Sequence, residues 1–170
     1  MPRMIRSIGR RAGATAGVLA LAAASFAMFA APAGAATTNP CKVLKKSEIQ
    51  KAFGGTVSSG KQGISTPVSA QCEFQVGASG DRPTGTVVVH VMHTNGKIAY
   101  NGLKKTSTYQ PIDGVPNSLW AEKLDVVNIL KGDVLVGVQG GFLITDPLPI
   151  HSFDDKAQLT DLAQVAIKRV

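Results

Sequence analysis

The chain has 170 residues, of which 44% are hydrophobic and 5% aromatic, and its formal net charge at pH 7 is +7. Four of its 18 basic residues are arginines within the first eleven positions; the rest of the chain holds 14 basic and 11 acidic residues, and its lysines lie in small separate groups. Nucleic-acid binding needs a concentrated basic patch with stacking aromatics or a recognisable module, so this composition argues against a nucleic-acid partner.

The first 35 residues have the three parts of a secretion signal peptide. The four arginines form a basic region, residues 12–31 are almost entirely small or apolar, and Ala33-Gly34-Ala35 supplies the small residues that signal peptidase requires. We therefore predict a signal peptide over residues 1–35, cleaved between Ala35 and Ala36. The mature protein would be secreted, and either free outside the cell or associated with the cell envelope.

The apolar run also approaches the roughly 20 residues that span a bilayer, so a retained membrane anchor is the alternative to cleavage. Its Ala- and Gly-rich composition and the small-residue site after it favour cleavage, which would leave no stable membrane span. The pair Arg10-Arg11 leaves the export route open between general and twin-arginine secretion. The following Ala12-Gly13-Ala14 lacks bulky apolar residues and favours the general route.

Residues 36–170 are enough for a single domain with its own core, and they contain two cysteines, Cys41 and Cys72. An even pair in a small exported domain predicts a disulfide, because the compartments outside the cell membrane are oxidising. The bond would close a loop of 32 residues and contribute on the order of 3 to 4 kcal/mol in the chain-entropy description. The spacing is too long for the close CxxC arrangement of a redox-active or metal-binding pair.

The region after Cys41 predicts a helix, a loop and a short strand. Ser47 is typical of an N-cap or a first-turn residue, and Gly54-Gly55 is typical of a helix end. The inner face of this helix would carry Ile49, Ala52 and Phe53. Residues 60–70 are rich in Gly, Ser, Thr and Pro and predict a loop. The strand that follows is indicated by the alternation of Cys72, Phe74 and Val76.

The strongest strand is predicted over Thr86–His93, after a turn within residues 77–85. One face of it would carry Val87, Val89 and Val91, and the other Val88, His90 and Met92. A strand that is largely apolar on both faces is typical of a central position covered by helix on at least one side. Residues 98–108 predict either a short helix or an ordered loop, with Tyr100 and Leu103 facing inward.

Trp120–Leu130 and Val134–Val138 are apolar, β-branched runs on either side of Lys131-Gly132-Asp133, which predicts a hairpin. Gly140-Gly141 is expected to end the regular structure. Asp154-Asp155 then opens a final helix whose apolar positions recur at helical spacing: Leu159, Leu162, Ala163, Ala166 and Ile167. The order of elements predicts an α+β fold in which an antiparallel sheet of about five strands is packed by an N-terminal and a C-terminal helix.

Motifs that would carry chemistry are weak in this sequence. His90, His93 and His151 bear the imidazoles that metals favour, but strand positions three apart face opposite sides, so we expect no metal site. No serine lies in a G-x-S-x-G turn, and no glycine-rich phosphate loop is present. We therefore expect no cofactor and predict no catalytic residue. A catalytic group assembled from distant residues keeps an enzyme as the less favoured alternative.

Three aromatic residues form a candidate binding surface. Trp120, the single tryptophan, follows a Pro-containing approach loop, and an exposed Trp there would be a binding anchor. Tyr100 and Tyr109 flank the lysine pair Lys104-Lys105 and would extend a ligand-facing patch. The competing interpretation is that all three cover the sheet or enter the core.

Several short motifs resemble a group of small exported proteins and lipoproteins of actinobacteria built on a domain of unknown function. The motifs are Cys41-Lys42-Val43-Leu44, Glu48-Ile49, Ala52-Phe53-Gly54, Cys72-Glu73-Phe74, and Leu162-Ala163 with Ile167. The resemblance implies a first cysteine before a short helix that ends in Gly and a second cysteine followed by an aromatic strand, and it offers no known catalytic residues to transfer. This chain lacks the lipid-accepting cysteine of the lipoprotein members, which argues against a lipid anchor.

These patterns predict a secreted or envelope-associated, non-enzymatic binding protein. Its partner would be a small molecule, a lipid or an envelope protein. The partner would bind to one sheet face or to the loops 77–85 and 111–120, because loops on a rigid scaffold commonly carry recognition. Two alternatives stay open: an extracellular hydrolase acting on cell-wall material, and a protein-binding or inhibitory module.

Overall fold

The computed structural model describes residues 38–142 and 155–170. The predicted signal peptide and its cleavage site between Ala35 and Ala36 lie outside the described residues, as do His151 and Asp154. Across the two described ranges, no helix is both long enough and apolar enough to cross a membrane.

Four α-helices and seven β-strands occur in the described part of the chain. The helices are α1 (Pro40–Val43), α2 (Lys46–Phe53), α3 (Gly96–Lys104) and α4 (Lys156–Ile167). The strands are β1 (Lys61–Ser65), β2 (Ser69–Val76), β3 (Gly85–Met92), β4 (Gln110–Pro111), β5 (Ser118–Ala121), β6 (Val126–Lys131) and β7 (Val134–Phe142). They form one antiparallel sheet in the order β1-β2-β3-β7-β6-β5-β4. The predicted α+β class with an antiparallel sheet is confirmed, with seven strands in place of about five.

One additional strand comes from a segment predicted as a loop. Residues 61–65 pair with β2 as the edge strand β1, and all five of its side chains are exposed. An edge strand needs backbone hydrogen bonds along one side only, so it can form without the apolar alternation that marks buried strands. The prediction of a loop is therefore wrong for this part of residues 60–70.

The predicted run Trp120–Leu130 is two strands, β5 and β6, separated by a 3₁₀ turn at Glu122–Leu124 and by Asp125. Asp125 has a φ of 49°, in the left-handed region that Asp tolerates better than most residues, so the chain breaks here without a glycine. Gly132, with a φ of 63°, turns β6 into β7 and confirms the hairpin. Gly140-Gly141 lies inside β7, paired with β3, and the expectation that it ends the regular structure is wrong.

Helices α1, α2 and α4 cover one face of the sheet and enclose the main core. On β3 this packed face carries Val87, Val89 and Val91, and none of the three is exposed. Cys41 in α1 is bonded to Cys72 in β2, and Cys72 is fully buried. The predicted disulfide is confirmed, and it joins the helical layer to the sheet.

Helix α2 begins and ends as its local chemistry requires. The Glu48 carboxylate accepts a hydrogen bond of 2.8 Å from the backbone N–H of Lys45, and Ser47 falls in the first turn instead of at the N-cap. Gly54, with a φ of 73°, ends the helix. The Arg169 guanidinium donates to both oxygens of Glu48, at 2.5 and 2.8 Å, and these bonds lower the Glu48 pKa. The C-terminal end of the chain is thereby tied to the start of α2.

Helix α4 buries the apolar residues that the helical spacing predicts, and its first turn is anchored by a buried ion pair. Arg82 Nη1 lies 2.5 Å from Asp155 Oδ1, and the Asp155 side chain is fully buried. The Arg82 guanidinium also lies 5.0 Å from the ring centre of Phe53 and 4.8 Å from that of Phe142. The loop of residues 77–85 therefore directs its arginine into the interior.

Helix α3 lies on the opposite face of the sheet, against β6 and β7. The carboxylate of Asp133 accepts hydrogen bonds from the backbone N–H groups of Asn95 (2.9 Å) and Lys97 (3.1 Å), which anchors the start of the helix. Tyr100 packs with Leu119 and Leu135 in a second, smaller cluster. The helical alternative for residues 98–108 is confirmed as far as Lys104. Because α3 packs on the face opposite the other helices, the sheet has helices on both sides.

Candidate functional site

The sheet face that carries α3, called here the open face, is only partly covered. Along β3 this face presents Val88, His90 and Met92, and along β7 the residues paired with them: Gln139, Gly137 and Leu135. Helix α3 packs over the Leu135 end. Where its cover stops, helix and sheet form a groove.

The groove, called here the α3 groove, has a volume of about 440 Å³ and a mostly apolar lining. Met92 and Leu135 contribute to it from the sheet, and Ala99 and Leu103 contribute from α3. Its polar side chains are Ser69, His90 and Asn128. An apolar cavity of several hundred cubic ångströms with a few polar groups is the usual form of a small-molecule site.

Gly137 forms the floor of the α3 groove because the sheet register places it between two polar residues. It is paired with His90 on β3 and with Asn128 on β6. A β-carbon at Gly137 would lie 2.8 Å from Asn128 Oδ1 and 3.7 Å from His90 Cβ. The missing side chain therefore leaves the space over which the Asn128 amide lies.

Asn128 contributes a side-chain amide to the α3 groove. Its exposed fraction is 8%, yet within residues 38–142 and 155–170 its side-chain amide has no hydrogen-bond partner. The amide atoms are not enclosed by the protein, so they are open to water or to a ligand in the groove. The amide can both donate and accept a hydrogen bond within the groove.

His90 stands on the other side of Gly137 and reaches solvent. Desolvation by burial lowers its pKa, which favours the neutral ring at neutral pH. Together with Asn128 and Ser69, it gives the groove neutral donors and acceptors. No Lys, Arg, Asp or Glu lines the groove among the residues that the structure describes.

The structure separates the three aromatic residues of the candidate binding surface. Tyr100, 8% exposed, and the half-buried Tyr109 pack with the small cluster on the open face. Trp120 is also 8% exposed, but its side chain belongs to the main core on the packed face, with one edge lining a depression of about 210 Å³. The three residues therefore do not form one surface.

Sequence reasoning passed over Asn128 and Gly137. Both stand inside strands that were recognised only as apolar, β-branched runs. A lone Asn in such a run and a Gly within a strand are the available signals, since strand glycines often mark a close approach by another group. Neither signal tells which residues lie opposite.

The two histidines that the structure describes, His90 and His93, do not come together. His90 lies on the open face, whereas His93 follows the end of β3 and is 9% exposed, with its pKa lowered by desolvation. Of the residues that can be described, no three His, Cys, Asp or Glu side chains are grouped as metal ligands.

A second groove of about 460 Å³ lies between α2 and α4 and differs in its charge. Its apolar base includes Ala52, Leu162 and Val165, and its charged groups are Glu48, Lys51 and Asp161. A charged ligand would find a counter-ion here, which the α3 groove does not offer.

Comparisons with protein-family models, with curated proteins and with solved structures find no match for this chain.

Proposed function

We propose that this protein is an exported, non-enzymatic binding protein that holds a small amphipathic molecule in the α3 groove. The observation that carries the proposal is the mostly apolar α3 groove, in which the Asn128 amide, without a hydrogen-bond partner among the described residues, lies over the space left by Gly137. A ligand with an apolar body and one polar group would fill the groove and satisfy the amide.

Export is supported by the pattern of the first 35 residues and by the disulfide. A disulfide between Cys41 and Cys72 is of the kind that persists in oxidising compartments. We place the protein outside the cell, free or at the envelope, in line with its resemblance to exported actinobacterial proteins. Mass spectrometry of the protein from the culture medium tests this. A mass that begins at Ala36 and is two hydrogens below the reduced value supports export; a retained leader contradicts it.

Binding is favoured over hydrolysis by what surrounds His90. Ser69 and His90 both line the groove, but no hydrogen bond joins their side chains. An activated serine needs a base within hydrogen-bond reach and a third group that orients this base. Along the described lining of the groove, no carboxylate is available for that orienting role.

The experiment that tests the proposal is a fluorescence titration of the purified protein with N-phenyl-1-naphthylamine, an uncharged apolar probe. We expect saturable binding at one site. Gly137→Ala should weaken it by about tenfold or more, because the new methyl group fills the floor of the groove.

Gly141→Ala is the matched control, since Gly141 lies on the same strand and the same face, and its β-carbon would meet only an ordinary contact at 3.8 Å. Equal affinities for the Gly137→Ala variant and the native protein would refute the α3 groove as the binding site.

A further inference from the structure

We infer that the α3 groove selects an uncharged amphiphile, which lays an apolar chain against α3 and presents a hydroxyl or amide group to Asn128. The inference rests on the proposed function and names the ligand class of the same site.

The charge of the groove lining is the first reason. The described residues around it include no cationic and no acidic side chain. An ionised headgroup that leaves water needs a counter-ion or several hydrogen bonds, and without them its burial is strongly unfavourable. The single amide of Asn128 can form hydrogen bonds with a hydroxyl or an amide, because its N–H groups donate and its oxygen accepts. It cannot neutralise a carboxylate or an ammonium group.

The start of α3 is the second reason, because the positive end of a helix dipole attracts anions. The N–H groups of Asn95 and Lys97 already donate to the carboxylate of Asp133. The positive end of the helix is therefore neutralised from within the protein, and it offers little to an anionic ligand.

The surroundings of the groove on the sheet are the third reason. On the outer strands of the open face, Lys61 of β1 stands opposite Glu73 of β2, so this part of the face carries one charge of each sign. Closer to the groove, Gln71 stands opposite His90, and Gly137 separates His90 from Asn128. On the sheet side, a headgroup that reaches past the groove thus meets neutral polar side chains.

The test is a panel of ligands that share one dodecyl chain: dodecanamide, 1-dodecanol, sodium dodecanoate and dodecylamine. Their affinities are measured at pH 7.5 by displacement of N-phenyl-1-naphthylamine, below the concentration at which each compound forms micelles. We expect the amide and the alcohol to bind at least about tenfold more tightly than either ion. Gly137→Ala should weaken both neutral ligands, and Gly141→Ala should not.

Two variants at Asn128 separate recognition from a structural role. Asn128→Leu should weaken dodecanamide and leave a purely apolar probe bound. Asn128→Asp should weaken dodecanamide and tighten dodecylamine, because the new carboxylate supplies the missing counter-ion. A residue with only a structural role would weaken all ligands together, and that result would overturn the inference. The ligand panel on the native protein needs no variant to fold.

The outcomes distinguish the two proposals. If dodecanoate binds as tightly as dodecanamide and Gly137→Ala weakens both, selection for an uncharged ligand is refuted, whereas binding in the α3 groove stands. If Gly137→Ala weakens none of the four compounds, both proposals fail. Ion binding that survives Gly137→Ala and is lost in Lys51→Ala or Asp161→Ala would assign the ions to the groove between α2 and α4.

Discussion

The two faces of the sheet are packed differently, although they share the same strands. The packed face is covered by three helices and carries fully buried valines on β3. A disulfide joins one of these helices to the sheet. The open face is covered by one short helix and keeps glycine, histidine and asparagine beside it. Val89 and His90 are neighbours in the chain, yet one belongs to the core and the other to the groove.

The binding site that we propose would therefore lie on the face that contributes less to the main core. Burial of apolar groups on one face supplies stability. The other face can then tolerate an unpaired amide and an unfilled space. We therefore expect substitutions on the packed face to change the free energy of unfolding, and substitutions beside the groove to change affinity.

The largest expected effect concerns the disulfide. Replacing both Cys41 and Cys72 with alanine should lower the free energy of unfolding by about 3 to 4 kcal/mol, because the unfolded chain regains the entropy of the closed loop. Urea denaturation measures this change, and reduction of the native protein is the parallel test. The folded variant should bind N-phenyl-1-naphthylamine as the native protein does. Coincident denaturation curves before and after reduction would contradict the prediction.

The next effect concerns two ion pairs of unequal burial. Arg82→Met should lower the free energy of unfolding by about 3 kcal/mol, because it removes the guanidinium that pairs with the fully buried Asp155. Arg169→Met removes the partner of the more exposed Glu48, and we expect a cost of about 1 kcal/mol or less. Urea denaturation of both variants gives the comparison. A smaller cost for Arg82→Met than for Arg169→Met would show that the buried pair does not anchor α4.

Val88 and Val89 offer a direct comparison of the two faces, since they are adjacent residues of one type. Val89 is fully buried in the main core, whereas Val88 is half-buried on the open face. Val89→Ala should lower the free energy of unfolding by about 2 to 3 kcal/mol, and Val88→Ala by less than about 1 kcal/mol. Equal costs, measured by denaturation, would mean that the two faces are packed alike.

The smallest effect is a dependence of stability on pH. Burial lowers the pKa of His93, whose Nε2 has no partner among the described residues, so the unfolded chain takes up its proton at a higher pH than the folded protein. Stability should therefore fall as the pH drops below about 6.5. His93→Asn should flatten this loss, measured as denaturation midpoints between pH 7.5 and 5.5.

His90→Asn is the control on the open face and should have a smaller effect, because His90 reaches solvent. Glu48 also has a lowered pKa, so its contribution is lost on acidification too, but only below about 4.5 and outside this range. An unchanged pH dependence in His93→Asn would remove His93 from the explanation.

Patterns confined to one segment predicted the fold well. The helical spacing of Leu159, Leu162 and Ala163 located the buried face of α4, and the alternation of β3 separated its two faces correctly. Segments were misjudged where pairing with a neighbour overrode composition. The polar β1 is held by its backbone bonds to β2, and Gly140-Gly141 is held in β7 by its pairing with β3.

The candidate site was largely hidden for the same reason. Large aromatic rings often anchor partners, which made these residues candidates, but packing assigns Trp120 to the main core and Tyr100 to the contact between α3 and the sheet. Asn128 and Gly137 are unremarkable within their own strands. Their meeting with His90 depends on the register of three strands, and no single segment contains that register.

The sequence by itself determined the class of fold, the cysteine pair, the central strand and the closing helix. Each of these follows from spacing within one segment or from residue type and expected compartment. The tertiary structure alone decided that α3 covers the second face of the sheet only in part and that Gly137 lies between His90 and Asn128. Strand register and helix placement arise from pairing between distant segments, so the α3 groove exists only once the sheet has assembled.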